Sequence, residues 1–329
     1  LGRAGAGDEP HRRRKGGGVS GLEATPDPAA GQAAPHDVPV PYMQRTRDWY
    51  LALGFDNPYV WAHYRDVPFA PLKKPLSETK LALITTAAPY QADKGDQGQG
   101  APYNAAAKFY SVYSGDVRDD HDLRIAHVAI DRDNTTMEDQ GSWFPLPALR
   151  AAEGRLFGSL TDRFHGLPTN RSVRHTLAVD APEILRRVQE DGAEAALLVP
   201  NCPVCHQSVT LIARHLEAAG IPTVIMGCAR DVVDHVGAPR FLFSDFPLGN
   251  SAGKPKDPDS QAETLALALR VLEQAPAART LVQNPQIWAE DPAWKLDYSN
   301  VATRSEEEMA QHRAKAHADR EIARQIRQG

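Results

Sequence analysis

The sequence predicts an α/β protein of two Rossmann-like lobes with mainly parallel sheets facing a cleft, a disordered N-terminal leader and a C-terminal helix. Three observations carry this expectation. Two continuous apolar runs of strand length, Lys80-Leu81-Ala82-Leu83-Ile84-Thr85-Thr86 and Ala195 to Val199, read as strands buried on both faces of a parallel sheet. Strands and helices alternate through the second half of the chain, joined by short turns bearing Gly or Pro. Each run also ends in a polar turn, Thr85-Thr86 in one case and Asn201-Cys202-Pro203 in the other, and in parallel sheets chemistry gathers at the carboxyl ends of strands.

In chain order, residues 1–37 are rich in Gly, Pro and Ala and lack aromatic residues, so a disordered leader is expected there. Residues 38–78 carry the first aromatic density, punctuated by Pro68, Pro71 and Pro75, and read as a wrapping arm with one short helix. The first lobe is expected over 79–175. It holds the strand ending at Thr86, a Gly- and Gln-rich loop from Tyr90 to Asn104, a strand from Leu123 to Ile130 and a helix from Pro145 to Glu153. The second lobe, 176–290, should hold helix Ala181 to Asp191, strand Ala195 to Val199, helix His206 to Ala219, strands Thr223 to Met226 and Phe241 to Ser244, and helix Gln261 to Gln274. An extension over 291–329 ends in a charged helix from Ser305 to Gln328, an element more often used for docking or oligomerisation than for catalysis.

Of the 329 residues, 42% are hydrophobic and 24% charged, ordinary usage for a globular chain. The formal net charge of -5 provides no global positive field for nucleic acid or acidic lipid. No run reaches the roughly eighteen apolar residues of a spanning helix, so no membrane association is expected. Three cysteines do not make a disulfide framework for a chain of this size, which points to a reducing, cytoplasmic compartment.

The informative motif is Cys202-Pro203-Val204-Cys205. A thiolate attacks where a thiol does not, and it needs local positive potential at neutral pH. A helix starting at Pro203 or Val204 places both sulfurs at its N-terminal end, where unpaired N–H groups and the macrodipole favour negative charge. The i, i+3 spacing puts them on one face, within a small adjustment of disulfide distance. One can attack and the other resolve. His206 stands next to the pair as a candidate proton holder. Candidates for binding the substrate are Thr85 and Thr86 at the matching strand end, Asp131 and Asn134 after the next expected strand, and the turn at Gly249 and Asn250.

The stretch Ala196-Leu197-Leu198-Val199-Pro200-Asn201-Cys202-Pro203-Val204-Cys205-His206, continuing to Ala219-Gly220-Ile221-Pro222-Thr223-Val224, resembles the selenoprotein B subunit family of glycine, sarcosine, betaine and D-proline reductases. Phe144-Pro145-Leu146, Glu153-Gly154-Arg155 and Phe246-Pro247-Leu248-Gly249-Asn250 support the resemblance. Cys202 stands at the family's selenocysteine position and Cys205 at its paired cysteine, while His165 lies where the family carries a His-containing segment. The resemblance implies reductive cleavage of a carbon–nitrogen bond with electrons from thiols. It also implies partner subunits of a reductase complex, one bearing a pyruvoyl group in the family enzymes. Sulfur in place of selenium at Cys202 is a poorer leaving group, which favours an already activated substrate over glycine. No flavin- or nicotinamide-binding glycine fingerprint is present, so no bound cofactor or metal is expected; an external thiol or thioredoxin-like donor would supply electrons, and a homo-oligomer is compatible with the terminal helix. Two other classes stay open. One is a cofactor-free racemase or isomerase using a cleft cysteine. The other is a zinc-binding or scaffold subunit, with Cys228, His206 and His235 as the remaining ligand types.

Overall fold

A computed structural model describes residues 38–55, 59–98, 101, 103–125, 127 and 129–328, so the expected leader over 1–37 lies outside the described residues. The organising element is a single eight-stranded sheet. Its strands are β1 (Lys80–Thr85), β3 (Tyr113–Asp116), β5 (Ser159–Leu160), β6 (Arg163–Gly166), β7 (Ala195–Val199), β8 (Thr223–Gly227), β9 (Arg240–Phe243) and β10 (Thr280–Gln283), while β2 (Ala88–Pro89) and β4 (Leu123–Arg124) form a separate two-stranded ribbon. The order across the large sheet is β10-β9-β8-β7-β1-β6-β3, with β5 also paired to β1. Every pairing in that sheet is parallel except β3 with β6.

The two lobes expected from the sequence are thus halves of one sheet. The strands taken as the starts of separate lobes, β1 and β7, pair directly, from Leu81 opposite Ala195 to Thr85 opposite Val199. Two parallel strands buried on both faces satisfy their backbone groups by lying side by side, which leaves no sheet edge to bury between lobes. The chain leaves β1 toward β6 and leaves β7 toward β8, on opposite sides. The crevice beyond their carboxyl ends is therefore a topological switch point, the place where open α/β sheets bind ligands.

Alternation along the strands sorts the core into two layers. Ala82, Ile84, Ala196, Leu198, Ile225, Phe241 and Phe243 face one layer with Ile184, Val188, Val209, Ile212 and Leu216. Leu81, Leu83, Leu197, Val199, Val224, Met226 and Leu242 face the other with Leu146, Leu149, Leu265, Leu269 and Leu272. The helices are α1 (Tyr42–Ala52), α2 (Leu146–Ala152), α3 (Val173–His175), α4 (Ala181–Glu190), α5 (Pro203–Ala218), α6 (Arg230–Val236), α7 (Pro258–Gln274) and α8 (Glu306–Gln328). By those side chains α4 and α5 cover the first layer, and α2 and α7 the second. The single turn α3 runs through the π-helical Thr176–Asp180 into α4. The arm over 38–78 holds α1 and a 3₁₀ turn, as expected for its prolines.

Two local readings need correction. Of the strand expected over 123–130, Leu123 and Arg124 pair as β4 among the described residues, and His127 further on bonds to the Thr86 carbonyl at the end of β1. His165, put forward by the resemblance as a site candidate, lies inside strand β6, where it is fully buried. No helix among the described residues is long and apolar enough to cross a membrane.

Candidate active site at the switch point

Cys202 is the N-cap of α5 and Pro203 its first residue, a position proline favours because its missing N–H would have had no intrahelical partner. The Cys202 Sγ accepts the backbone N–H of Cys205 at 3.2 Å, so sulfur does what a cap hydroxyl usually does. The turn before it is tied to β1, since the Asn201 N–H donates to Thr86 Oγ1 at 3.0 Å. From behind, Ser251 donates to the Pro200 carbonyl at 2.6 Å. The Gly249 that opens this supporting turn has φ of +117°, and a Cβ there would sit 2.6 Å from the Met137 side chain. Glycine meets both demands.

All three cysteines are free and buried. Cys202 is 5% exposed and lines a pocket with Pro203 and Val204, while Cys205 lies behind it at 0%. His127 completes the cluster. Its Nε2 donates to the Thr86 carbonyl at 2.7 Å, and one ligand atom from each of His127, Cys202 and Cys205 falls within 4.8 Å of the others. Thr169, in the segment after β6, places Oγ1 3.2 Å from the Cys205 Sγ.

The surroundings act on the two sulfurs in opposite directions. Burial pushes both thiols up, but the Cys202 thiol, the His127 ring and the Thr169 hydroxyl act on Cys205 and hold it well below the ordinary thiol value. Cys202 is driven the other way, by burial first and then by its hydrogen bond to Cys205 and the neighbouring negative charge. Cys202 is the thiol with access to the pocket, and Cys205 the one surrounded by hydrogen-bonding neighbours. Replacing Thr169 with Val keeps the shape and removes one donor to the thiolate. Thiolate formation, followed by ultraviolet absorbance, should then move to higher pH, and alkylation at neutral pH should slow by about tenfold. An unchanged profile would mean that the hydroxyl does not hold the charge.

The rest of the pocket wall comes from Thr46 and Tyr50 of α1, Tyr103, Lys108, His127, Ala129, Thr169 and Arg171. Arg171 adopts a left-handed φ of +54°, unusual for a residue with a side chain, and its guanidinium stands 5.5 Å from the centre of the Tyr50 ring. Near this wall, the Thr46 hydroxyl and both polar atoms of the Asn201 amide are buried without a partner among the described residues. Buried groups in that state are costly and most often mark a functional place.

Several residues selected from the sequence do other work. His206 lies in the first turn of α5, but its Nδ1 donates to the Cys202 carbonyl at 2.7 Å and its Nε2 accepts the N–H groups of Cys228 and Ala229 at 2.9 and 3.1 Å. Burial lowers it to about 4. A neutral ring with both nitrogens occupied pins the turn after β8 and has no nitrogen left for the thiols. Thr85 accepts the Ala87 N–H, and Thr86 acts through its bonds to Asn201 and His127. Asp131, raised by burial to about 6, accepts from the Asn134 backbone and amide, an ordinary turn closure. His165 Nδ1 bonds Ser114 at 2.8 Å, and its Nε2 lies 3.2 Å from Asp191. Asn250 holds its own turn through the Pro247 carbonyl. Cys228 is pushed up to about 12 by burial and lies beside Ser251, an inert thiol. None of Thr85, Asp131, Asn134, His165, Gly249 and Asn250 lines the pocket described here.

Fold and site together define an α/β protein with a dithiol at the switch point of a mainly parallel sheet. No family profile matches the chain, and no solved structure is significantly similar to it. Its curated homologues agree with the resemblance drawn from the Cys motif. The chain is 28% identical over 221 residues to the D-proline reductase subunit gamma of Acetoanaerobium sticklandii, covering 66% of this chain and 88% of that one. It is 26% identical over 219 residues to the glycine reductase complex component B subunit gamma of Carboxydothermus hydrogenoformans, and 24% identical over 227 residues to the sarcosine reductase complex component B subunit beta of Peptoclostridium acidaminophilum. Those matches cover 65% and 67% of this chain but only 48% and 51% of the relatives, so the chain spans about half the length of these two.

Proposed function

We infer that this chain is a component of a thiol-dependent reductase complex in which Cys202 attacks a small substrate and Cys205 resolves the adduct. The observation that carries the reading is the geometry of the pair: a pocket-facing sulfur at a helix N-terminus, and behind it a fully buried second sulfur beside the Thr169 hydroxyl and His127. In the first step Cys205 takes the Cys202 proton as the Cys202 sulfur bonds to the substrate carbon, and the carbon–nitrogen (or carbon–sulfur) bond breaks with its electron pair on the leaving group; a nitrogen that enters positively charged thereby leaves as a neutral amine, and a sulfur leaves as a thiolate. In the second, the Cys205 sulfur, its proton released, attacks the Cys202 sulfur; the carbon departs with the electron pair of the C–S bond and takes a proton, leaving a disulfide. Two thiols are oxidised and one carbon is reduced. The departing carbon must be acidified, as by an adjacent carbonyl, because it leaves as a carbanion. An external dithiol or a thioredoxin-like protein then reduces the disulfide.

Arg171, Lys108 and Thr46 would orient the substrate at the pocket wall. The two-base racemase reading asks for an acid and a base on opposite sides of a cleft. With β1 and β7 adjacent, and with Thr85 and Thr86 bonded to backbone, the geometry supports it less. A role within a complex follows from the relatives being complex subunits, and cytoplasmic residence from the reduced thiols the mechanism uses. The deciding experiment counts free thiols before and after incubation of the reduced protein with candidate amines, betaines or thiocarbonyl compounds. A loss of two thiols per chain, reversed by added dithiol, is the expected result; a constant thiol count with product formed would overturn the redox role.

A further inference from the structure

We propose that His127, Cys202 and Cys205 form a binding site for one thiophilic divalent cation such as Zn2+, with the fourth coordination position open to the pocket. The three ligand atoms lie within 4.8 Å of one another, and all three residues are buried. They reach the site from two separate stretches of chain, which converge because the Thr86 carbonyl and the Thr86 hydroxyl hold His127 and the Asn201 backbone in turn. A carbonyl only accepts, so the His127 Nε2 keeps its proton and Nδ1 is the nitrogen left for a cation, which would take the place of any proton shared there with the Cys205 sulfur. A backbone carbonyl on the far nitrogen is the usual device that fixes the tautomer and orientation of a ligating histidine.

Tetrahedral Zn2+ takes Zn–S of about 2.3 Å and Zn–N of about 2.0–2.1 Å, which sets ligand separations of roughly 3.5–3.8 Å. The cluster therefore needs to contract by about an ångström, within reach of a χ1 adjustment at Cys202, which caps the helix rather than lying inside it. Two thiolates and a neutral imidazole compensate the cation's charge in a buried place. Other ligand types are elsewhere: both nitrogens of His206 bond to backbone, and Cys228 lies by Ser251. The guanidinium of Arg171 on the same pocket wall opposes a cation, so occupancy is reversible. A bound cation and a Cys202–Cys205 disulfide exclude each other, because oxidation joins the two sulfurs and removes the thiolates that would bind the cation. The binding itself does not rest on the reductase reading.

The test uses the full chain, reduced and freed of metal with a chelator, in the absence of substrate. Titration with Co2+ should give one equivalent bound with an intense thiolate-to-cobalt charge-transfer band, and calorimetry with Zn2+ should give the same stoichiometry. His127→Ala and Cys202→Ser should each weaken Zn2+ at least tenfold, and Cys228→Ser should leave it unchanged. Zn2+ should also shield Cys202 of the wild-type protein from alkylation, a readout that does not depend on any variant folding. No binding at micromolar metal, binding without the charge-transfer band, or binding lost only in Cys228→Ser would overturn the proposal. Because no substrate is present, a failure of reductive turnover leaves this result standing, and the reverse holds too.

Discussion

Replacing Cys202 with Ser is expected to abolish even the first reductive turnover, whereas Cys205→Ser should complete the first step and stop. The asymmetry follows from where the sulfurs lie. Of the cysteines, Cys202 lines the pocket, and Cys205 stands behind it with its sulfur within 4.8 Å of the Cys202 sulfur. A serine hydroxyl at 202 offers neither the nucleophilicity nor the leaving ability of sulfur, so the rate with any substrate should fall by roughly a thousandfold or more. In Cys205→Ser the adduct on Cys202 has no neighbouring thiol to displace it. Intact-mass analysis after a single exposure to substrate should show the added mass on Cys202, cleaved on addition of a small dithiol. If Cys205→Ser cycles at the wild-type rate with the same donor, resolution does not use this pair and the mechanism is wrong.

The second large effect lies in stability. Arg240 in β9 and Glu217 in α5 form an ion pair at 2.6 Å with side chains only 1% and 0% exposed. Glu217 also accepts the Ala70 N–H and both the N–H and hydroxyl of Thr223. Arg240 donates to the Ala70 carbonyl at 2.7 Å and stacks 4.0 Å over Phe69. The pair therefore bolts the N-terminal arm to the sheet. Arg240→Met fills the space but leaves a buried carboxylate unpaired, which costs about 3–5 kcal/mol and should lower the urea midpoint clearly. The sign of the pH dependence is fixed by Glu217, whose carboxyl burial already raises. Without the guanidinium it is raised further, so the deficit is full at neutral pH and shrinks as the pH falls toward the ordinary glutamate value of 4.5. The double variant with Glu217→Gln, which removes the charge but keeps an acceptor oxygen for the Thr223 donors, should recover part of the loss. Equal midpoints for wild type and Arg240→Met would show that the arm does not depend on the pair.

Much of this site was legible because its chemistry is local. The Cys202-Pro203-Val204-Cys205 order dictates an N-cap, a proline at the first helical position and two sulfurs on one face, whatever surrounds them. The apolar runs of β1 and β7 announce burial on both faces. The helix boundaries came within a few residues for the same reason. His127 and Arg171 carried no such signal. His127 follows β4 by three residues in a stretch that read as a longer strand, and its role depends on the Thr86 carbonyl, 41 positions away. Arg171 sits in a turn whose left-handed backbone no composition rule marks. His206 shows the opposite error: adjacency to Cys205 suggested chemistry, but a helix sends neighbouring side chains in different directions, and its ring points to the turn after β8.

By itself the sequence determined the dithiol, its place at a helix mouth after a buried strand, the α/β class and the likeness to reductase B subunits. Only the tertiary structure decided that the two strand ends belong to one sheet and meet at one switch point. Strand pairing is a non-local choice, made by satisfying backbone groups and both hydrophobic faces at once, and no window along the chain contains it. The same closure brings Thr169 and His127 to the buried Cys205 and leaves the pocket to Cys202.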